Sequence, residues 1–338
     1  MKRHGNLFEK IVDIENIKLA HRQARRGKSF YTEVKMVDSN IEKCASDIQR
    51  SLKEKTFSTS EYEIEDMFDG RKLRTIYKLP YYPDRIVQHA LLNVVGDIFV
   101  KSFIRDTFQS IVGRGTTDAM KRVKKVVRSK DCPRYALKID IEKYYPSVNN
   151  KILKKVIRKK IKCKDTLWLI DNIIDSMTGL PIGNYTSQHF GNIYLNEFDW
   201  IMKQKIKPPA YFRYCDDIVI MDNERSKLIA INSFSKKYLE NIGLKIKPTW
   251  NIYNVYLHGL DFVGFVFTPF NTRLRKSIVN KFKKTCKELS VFSTKSKNDL
   301  SRIMSYKGWM KRCNGKKLWR SNTQKLVKLF PKQLKAAI

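Results

Sequence analysis

Three aspartates stand where acids are least expected. Asp140 closes the apolar stretch YALKID, and Asp216 and Asp217 sit at the centre of YFRYCDDIVIM. Unneutralised acids at the ends of apolar strands, in a chain this rich in Lys and Arg, call for a function. Hard oxygen ligands hold Mg²⁺ with few protein carboxylates and leave positions for water and substrate phosphates. In a two-metal site one ion activates an attacking hydroxyl and the other balances charge on a leaving pyrophosphate. The bland alternative for Asp-Asp between two strands is turn chemistry. A pattern as short as Tyr-x-Asp-Asp also recurs by chance, so neither stretch decides alone.

The elements that must carry these acids follow from periodicity. Tyr135–Ile141 reads as a buried strand, and Tyr211–Tyr214 and Ile218–Met221 as two strands joined by Cys215-Asp216-Asp217. Upstream, apolar residues recur at helical spacing from Leu7 to Arg26, with basic residues gathered at the end that the helix dipole favours. Helices are expected at about 40–53, 84–100 and 116–129. Strands at 62–67 and 73–79 flank Asp69-Gly70, a dipeptide favoured in hairpin turns. Helical stretches follow at about 149–160 and 166–177. The loop GLPIGNYTSQ then opens a long helix through Ile201, and a further helix near 225–241 precedes short strands reaching Phe267.

Composition limits the partner. The 338 residues carry 68 Lys+Arg against 33 Asp+Glu, a formal +35. Such an excess predicts a polyanion held through salt-sensitive phosphate contacts. Disorder is the poorer reading, since 42% hydrophobic and 12% aromatic residues suffice to build cores. From Asn271 onward the last 68 residues hold 20 basic and 2 acidic residues, a net +18, interleaved with Phe282, Tyr306, Trp309 and Trp319. That combination points to nucleic-acid contact. Neither a signal peptide nor a membrane-length apolar run is legible, so a soluble, cytoplasmic protein with no membrane partner is expected. Six scattered cysteines without a C-x-x-C pair fit reduced thiols better than zinc or disulfides.

The order of the blocks is more specific than any one of them. RKLRTIYKLPYYPDRIVQHAL, LKIDIEKYYPSV, GLPIGNYTSQHFGNIYLN, YFRYCDDIVIM, GLKIKPTW and GLDFVGFVF follow one another as the fingers and palm blocks of a reverse transcriptase do. The resemblance covers about 7–267. It implies an α+β, right-hand polymerase fold with fingers, an antiparallel-sheet palm and a C-terminal helical thumb. N-terminal helices and fingers would occupy 1–130, the palm 131–270 and the basic thumb 271–338. The activity implied is RNA-directed DNA polymerisation on template RNA with dNTPs, giving cDNA.

Site roles follow from the resemblance, residue by residue. Asp140, Asp216 and Asp217 would be catalytic and hold two Mg²⁺ ions, with the carbonyl of Ile141 completing one shell. Tyr145 falls at the steric gate, where its ring would exclude a ribonucleotide 2′-hydroxyl; plain packing is its alternative. Arg74 matches the fingers arginine that grips the incoming triphosphate. The lysine that relatives place about six residues earlier is Phe68 here, and Arg71 or Lys72 would substitute. Arg85 and Gln88 read as supports of the fingers. Lys247 or Lys245 would be the general acid for pyrophosphate.

The loop at 182–188 narrows the family. Most reverse transcriptases place Gln-Gly at its front and Ser-Pro at its end. Here Ile182 and Gly183 open it and Ser187 and Gln188 close it. This resembles the IGxxxSQ signature of diversity-generating retroelements, as does the block LFEKIVDIENIKLAHRQARRGK. That family copies a template-repeat RNA, misincorporates mainly opposite adenine, and acts with a small basic accessory variability protein. Ile182 offers apolar surface where glutamine would hydrogen-bond, removing a discriminating contact worth about 1–3 kcal/mol. Packing alone is the alternative for Ile182. Among rivals, a retron enzyme lacks support because its NAxxH and VTG patterns are absent, and an intron maturase normally continues into a further domain. A phage-defence relative of the abortive-infection type shares the palm blocks. A non-catalytic RNA-binding scaffold has no need of three carboxylates in a basic cleft.

Overall fold

A computed structural model describes residues 3–69, 72–291 and 297–327. Four N-terminal helices come first: α1 (Phe8–Val12), α2 (Ile14–Ala24), α3 (Thr32–Ser39) and α4 (Ile41–Lys53). The single helix expected from Leu7 to Arg26 is two. Asp13 leaves helical geometry, and its carboxylate accepts a hydrogen bond from Glu15 N at 3.1 Å, the side-chain capping that Asp favours. The hairpin β1 (Glu63–Asp69) and β2 (Lys72–Lys78) pairs antiparallel with Asp69 opposite Lys72. A π turn over Tyr81–Arg85 leads into α5 (Ile86–Ser102), which buries Val87, Ala90, Leu91, Val95 and Phe99. Being apolar almost all round, α5 belongs in an interior.

The central sheet has five strands in the order β3-β5-β6-β4-β7. They are β3 (Thr107–Phe108), β4 (Tyr135–Asp140), β5 (Ala210–Tyr214), β6 (Asp217–Asp222) and β7 (Asn251–Asn254), all antiparallel except for the short edge strand β3 against β5. Both faces are covered, which is why β4 and β6 read as nearly continuous apolar runs. Alternation sends Leu137, Ile139, Ile218 and Ile220 into the core shared with α5, and Ala136, Val219 and Met221 into a second core. Between β3 and β4 lies α6 (Thr116–Val127), which packs on the second core through Ala119, Met120 and Val123. Asp140 and Asp217 are directly paired at the ends of β4 and β6.

Between β4 and β5 run α7 (Tyr144–Ser147), α8 (Asn150–Arg158), α9 (Lys164–Asp175), α10 (Ser187–Tyr194) and α11 (Asn196–Ile201), with a π turn over Met202–Ile206. The long helix expected after the GLPIGNYTSQ loop is therefore interrupted, at Leu195, where ψ rises to 0°. Helix α12 (Arg225–Asn241) lies as expected, and α13 (Val255–His258) is one turn. A three-stranded sheet follows, β8 (Leu260–Phe262), β9 (Phe265–Phe267) and β10 (Thr272–Leu274), in the order β10-β9-β8. Pro269–Asn271 thus lies in the turn of a hairpin.

The basic tail forms α14 (Lys276–Val291), α15 (Lys297–Met310) and α16 (Lys316–Val327). Its aromatic residues serve first as core, rather than standing free between the cations. Phe282 and Trp319 are buried and stacked at 5.7 Å, with Tyr306 and Trp309 packed against the same core. Apolar rings at helical spacing found each other, and the outer faces keep the cations.

Candidate active site

The turn between β5 and β6 is two residues long, Cys215 and Asp216, because Tyr214 and Asp217 are the last pair of the hairpin. Cys215 sits at φ +58°, a conformation few non-glycine residues adopt, so something must hold it. The holder is Arg213, which donates to the Cys215 carbonyl at 3.0 Å. Arg213 is fully buried and paired with fully buried Asp199, Nη2 to Oδ2 at 2.6 Å. Asn192 Oδ1 accepts from it at 3.2 Å, while Tyr211 and Thr107 donate hydroxyls to Asp199 at 2.6 and 2.9 Å. Burial works against the charge on Arg213, but Asp199 outweighs it and the net shift of its pKa is upward.

The three carboxylates are differently placed. Asp140 is paired with Lys247, Nζ to Oδ2 at 2.7 Å, and the two segments are joined by Lys247 N donating to Asp140 O at 2.8 Å. Burial raises the pKa of Asp216, and the nearby charge of Asp140 raises it further. Burial pushes Asp217 up to about 6 although Lys138 and Arg275 pull the other way. Lys138 Nζ lies 3.6 Å from both Asp217 Oδ2 and Asp261 Oδ1, and Arg275 Nε donates to Asp261 at 2.8 Å. Asp217 Oδ1 is buried with no hydrogen-bond partner among the described residues.

These features bear on metal binding. Acids with raised pKa values and an orphaned carboxylate oxygen are short of positive charge, and oxygen donors suit a hard divalent ion. Among the described residues no three His, Cys, Asp or Glu side chains form a cluster able to hold an ion by themselves. An ion held by these acids would need the rest of its coordination from water and substrate. Ile141 follows Asp140 with its side chain in the core and its backbone bridged to Ile246. Lys245 enters only through its carbonyl, which accepts from Glu142 N, and its side chain is exposed.

A cavity of about 210 Å³ adjoins the turn, lined among others by Tyr145, Ile182, Gly183, Ser187, Gln188 and Arg85. Tyr145 Oη accepts from Cys215 Sγ at 3.3 Å, and the ring packs so closely on Gly191 that a Cβ there would come within 3.3 Å of it. Ile182 O accepts from Tyr77 N at 2.8 Å, so strand β2 lies on this loop. Gly183 permits that approach: at φ +140°, a Cβ would meet Tyr77 O at 2.1 Å. Ser187 Oγ donates to Pro181 O at 2.7 Å, and Gln188 accepts from the Ser110 hydroxyl. Gln88 Oε1 accepts from Tyr185 N at 2.8 Å, a supporting role.

The hairpin residues stand further out. Arg74 is exposed on β2, three residues from the Tyr77 contact, and does not line the cavity. Phe68 is 72% exposed. Arg71 lies outside the described residues, and Lys72 contributes its backbone to β2. Sequence reasoning missed Cys215, Lys138, Asp261 and the Arg213–Asp199 pair. The last had a signal, a lone arginine inside the apolar strand AYFRY, since a buried charge needs a partner.

The sequence profile described as Reverse transcriptase (RNA-dependent DNA polymerase) matches residues 69–254. The chain is 26% identical over 223 residues to Protein YkfC of Escherichia coli (strain K12), covering 52% of this chain and 58% of that protein. Two solved structures share the fold. The apo telomerase from Candida tropicalis, truncated from its C-terminal domain, superposes with a TM-score of 0.50 at 13% identity, over 67% of this chain and 58% of that one. The telomerase from Candida albicans, in complex with the TWJ fragment of telomeric RNA, gives 0.51 at 12% identity, over 84% and 56%. The chain spans somewhat more than half the length of each.

Proposed function

The chain belongs to the reverse transcriptase (RNA-dependent DNA polymerase) family, and from that premise we propose that it copies a template-repeat RNA into cDNA, with errors directed to adenine, in a diversity-generating retroelement. One observation carries the catalytic part: Asp140 and Asp217 are paired at the strand ends, Asp216 lies in the adjoining turn, and Lys247 is bound to Asp140. In this reading the β1–β2 hairpin belongs to the fingers, the five-stranded sheet to the palm and α14–α16 to the thumb.

Asp140, Asp216 and the Ile141 carbonyl would hold two Mg²⁺ ions, with Asp217 beside them. When bound, the ions lower the pKa of the primer 3′-hydroxyl and neutralise charge on the triphosphate. The protein's own part is positioning. The hydroxyl attacks the α-phosphate in line and pyrophosphate leaves. Lys247, paired with Asp140, or Lys245 would give pyrophosphate its proton. Tyr145 presents its ring to the sugar, and Ile182 gives the nascent pair an apolar wall. Arg74, with Arg71 or Lys72, would reach the triphosphate when the hairpin closes over it. The small basic accessory protein is the proposed partner, in the cytoplasm of a bacterial or phage-infected cell.

Incorporation of dNTPs on a primed RNA template, dependent on Mg²⁺ and lost in Asp216→Asn, tests the polymerase reading. A wild type inactive even with RNA and accessory protein would favour the scaffold instead. Sequencing the products tests the subfamily. Ile182→Gln should lower errors opposite adenine tenfold or more, and an unchanged error spectrum removes the fidelity role given to Ile182.

A further inference from the structure

Lys138 on β4 reaches the orphaned carboxylate of Asp217, yet it is committed to no acid. Its Nζ donates to the Asp261 carbonyl at 3.2 Å and lies 3.6 Å from both Asp217 Oδ2 and Asp261 Oδ1. Both carboxylate distances are too long for a hydrogen bond. The charges acting on Asp217 are Lys138 and Arg275 on one side, Asp140 and Asp261 on the other. Asp216 is acted on by Asp140 and Lys247, and Lys247 is already paired with Asp140. Among these groups four acids face three cations.

One member of this network can move without disturbing the backbone. Asp217 is fixed at the end of β6, paired with Asp140 on one side and Tyr214 on the other. Asp261 is fixed twice. Arg275 Nε and Nη2 donate to its Oδ1 at 2.8 and 2.5 Å, and its own backbone N donates to Tyr253 Oη at 3.3 Å. Arg275 is tied down in turn, its N donating to Gly264 O at 2.9 Å just before α14 begins. Lys138, by contrast, is a point charge on a flexible four-carbon stem. An ammonium that only braced β8 against β4 would close on one carboxylate. This one stands midway between two, and a divalent ion drawn to Asp217 would repel it toward the other.

We propose that Lys138 is a positioning residue of the metal site, holding Asp217 while the site is empty and withdrawing onto Asp261 when an ion binds. The assignment rests on the polymerase reading and deepens it, because it names Asp261 as the acid that receives the displaced charge. Without Lys138, the three acids take an ion more readily, but Asp217 is no longer held. Without Asp261, Lys138 stays on Asp217 and competes with the ion. Asp261 therefore acts through Lys138 rather than on the ion itself.

The probe is Mn²⁺ alone, added to the full chain without nucleic acid or nucleotide and followed by the electron paramagnetic resonance signal of the free ion. Loss of binding in Asp216→Asn assigns the signal to the three-acid site. Lys138→Met should tighten Mn²⁺ binding roughly fivefold, and Asp261→Asn should weaken it by a similar factor. Those signs alone also follow from removing any nearby charge, so the double variant decides. If Asp261 acts through Lys138, the double variant binds Mn²⁺ as tightly as Lys138→Met. Additive effects, which would return it near the wild-type value, overturn the proposal. So does a wild type with no Mn²⁺ binding dependent on Asp216, or binding unchanged in both single variants. Lys138→Gln takes the place of Lys138→Met should that variant not fold. In primer extension, Lys138→Met should lower kcat while also lowering the Mn²⁺ concentration that gives half the maximal rate, and Lys138→Arg should restore part of kcat. An unchanged kcat removes the positioning role. The expected Mn²⁺ cycle in a wild type that incorporates no nucleotide supports the proposal and refutes the polymerase reading.

Discussion

Removing the carboxylate of Asp199 isolates the charge beneath the catalytic turn. In Asp199→Ala, Arg213 stays fully buried and keeps Asn192 and the Cys215 carbonyl, but loses its counter-charge. The hydroxyls of Tyr211 and Thr107 lose their acceptor as well. Breaking a buried ion pair by removing one partner costs about 3–5 kcal/mol, because the remaining charge is uncompensated. Each stranded hydroxyl threatens about 1–3 kcal/mol more, though terms within one network do not add. Against a typical stability of about 5–15 kcal/mol, a loss near 4 is severe. Urea unfolding at neutral pH should show the midpoint falling by this loss divided by the slope, with the slope itself unchanged. The double variant Asp199→Leu, Arg213→Met removes both charges and should recover most of the loss. A loss below about 1 kcal/mol in Asp199→Ala, or a double variant no better than the single, refutes the claim that the pair's charges are desolvated.

Other outcomes follow from the same geometry. Tyr145→Ala should admit ribonucleotides, measured as the ratio of kcat/KM for dNTP over rNTP; unchanged sugar selectivity removes the gate. Cys215→Ala, which deletes the Sγ–Oη contact, should shift that ratio in the same direction by a smaller factor, while Cys215→Ser should keep it near the wild-type value. Gly183→Ala should cost about 1–3 kcal/mol or displace β2, since its Cβ would overlap Tyr77 O; wild-type incorporation and unfolding midpoint would count against the tight approach. Burial holds His89 and His189 down to about 3 and about 4. Their stability contribution is full above pH 6.5 and is lost as pH falls toward those values, by up to about 1.4 kcal/mol per unit for each. Asp217, raised to about 6, acts oppositely, costing stability as pH rises from 4 to 6. Urea midpoints in His89→Phe should therefore fall less steeply as pH drops from 6.5 toward 4, the contribution of Asp217 being common to both proteins.

The carboxylate strands were legible because their signals are local. The run before Asp140, the Cys215-Asp216 turn and the blocks between them each need only a few neighbouring residues to be read. The break at Asp13 was hidden because the apolar spacing continues through it, and only the capping choice reveals it. The packing of the tail aromatics was not legible, because a ring at helical spacing looks alike whether it faces a core or a base. Arg85 was undervalued for a tertiary reason. Its neighbour Lys28 comes from a turn 57 positions away in the chain, and nothing in either sequence context shows that the two line the same two cavities. Arg71 was offered for the triphosphate on spacing alone and lies outside the described residues.

The hydrogen bond from Tyr77 to the Ile182 carbonyl has a mechanical meaning. Strand β2 carries Arg74 at one end of a lever and rests on the Ile182 loop at the other, with Gly183 as the fulcrum where the two backbones touch. If the hairpin closes on a triphosphate as proposed, its swing would be transmitted to the Ile182 loop. Grip on the nucleotide and tolerance of its partner would then be one degree of freedom, and a mutation that stiffens the hairpin should alter the error rate from a distance.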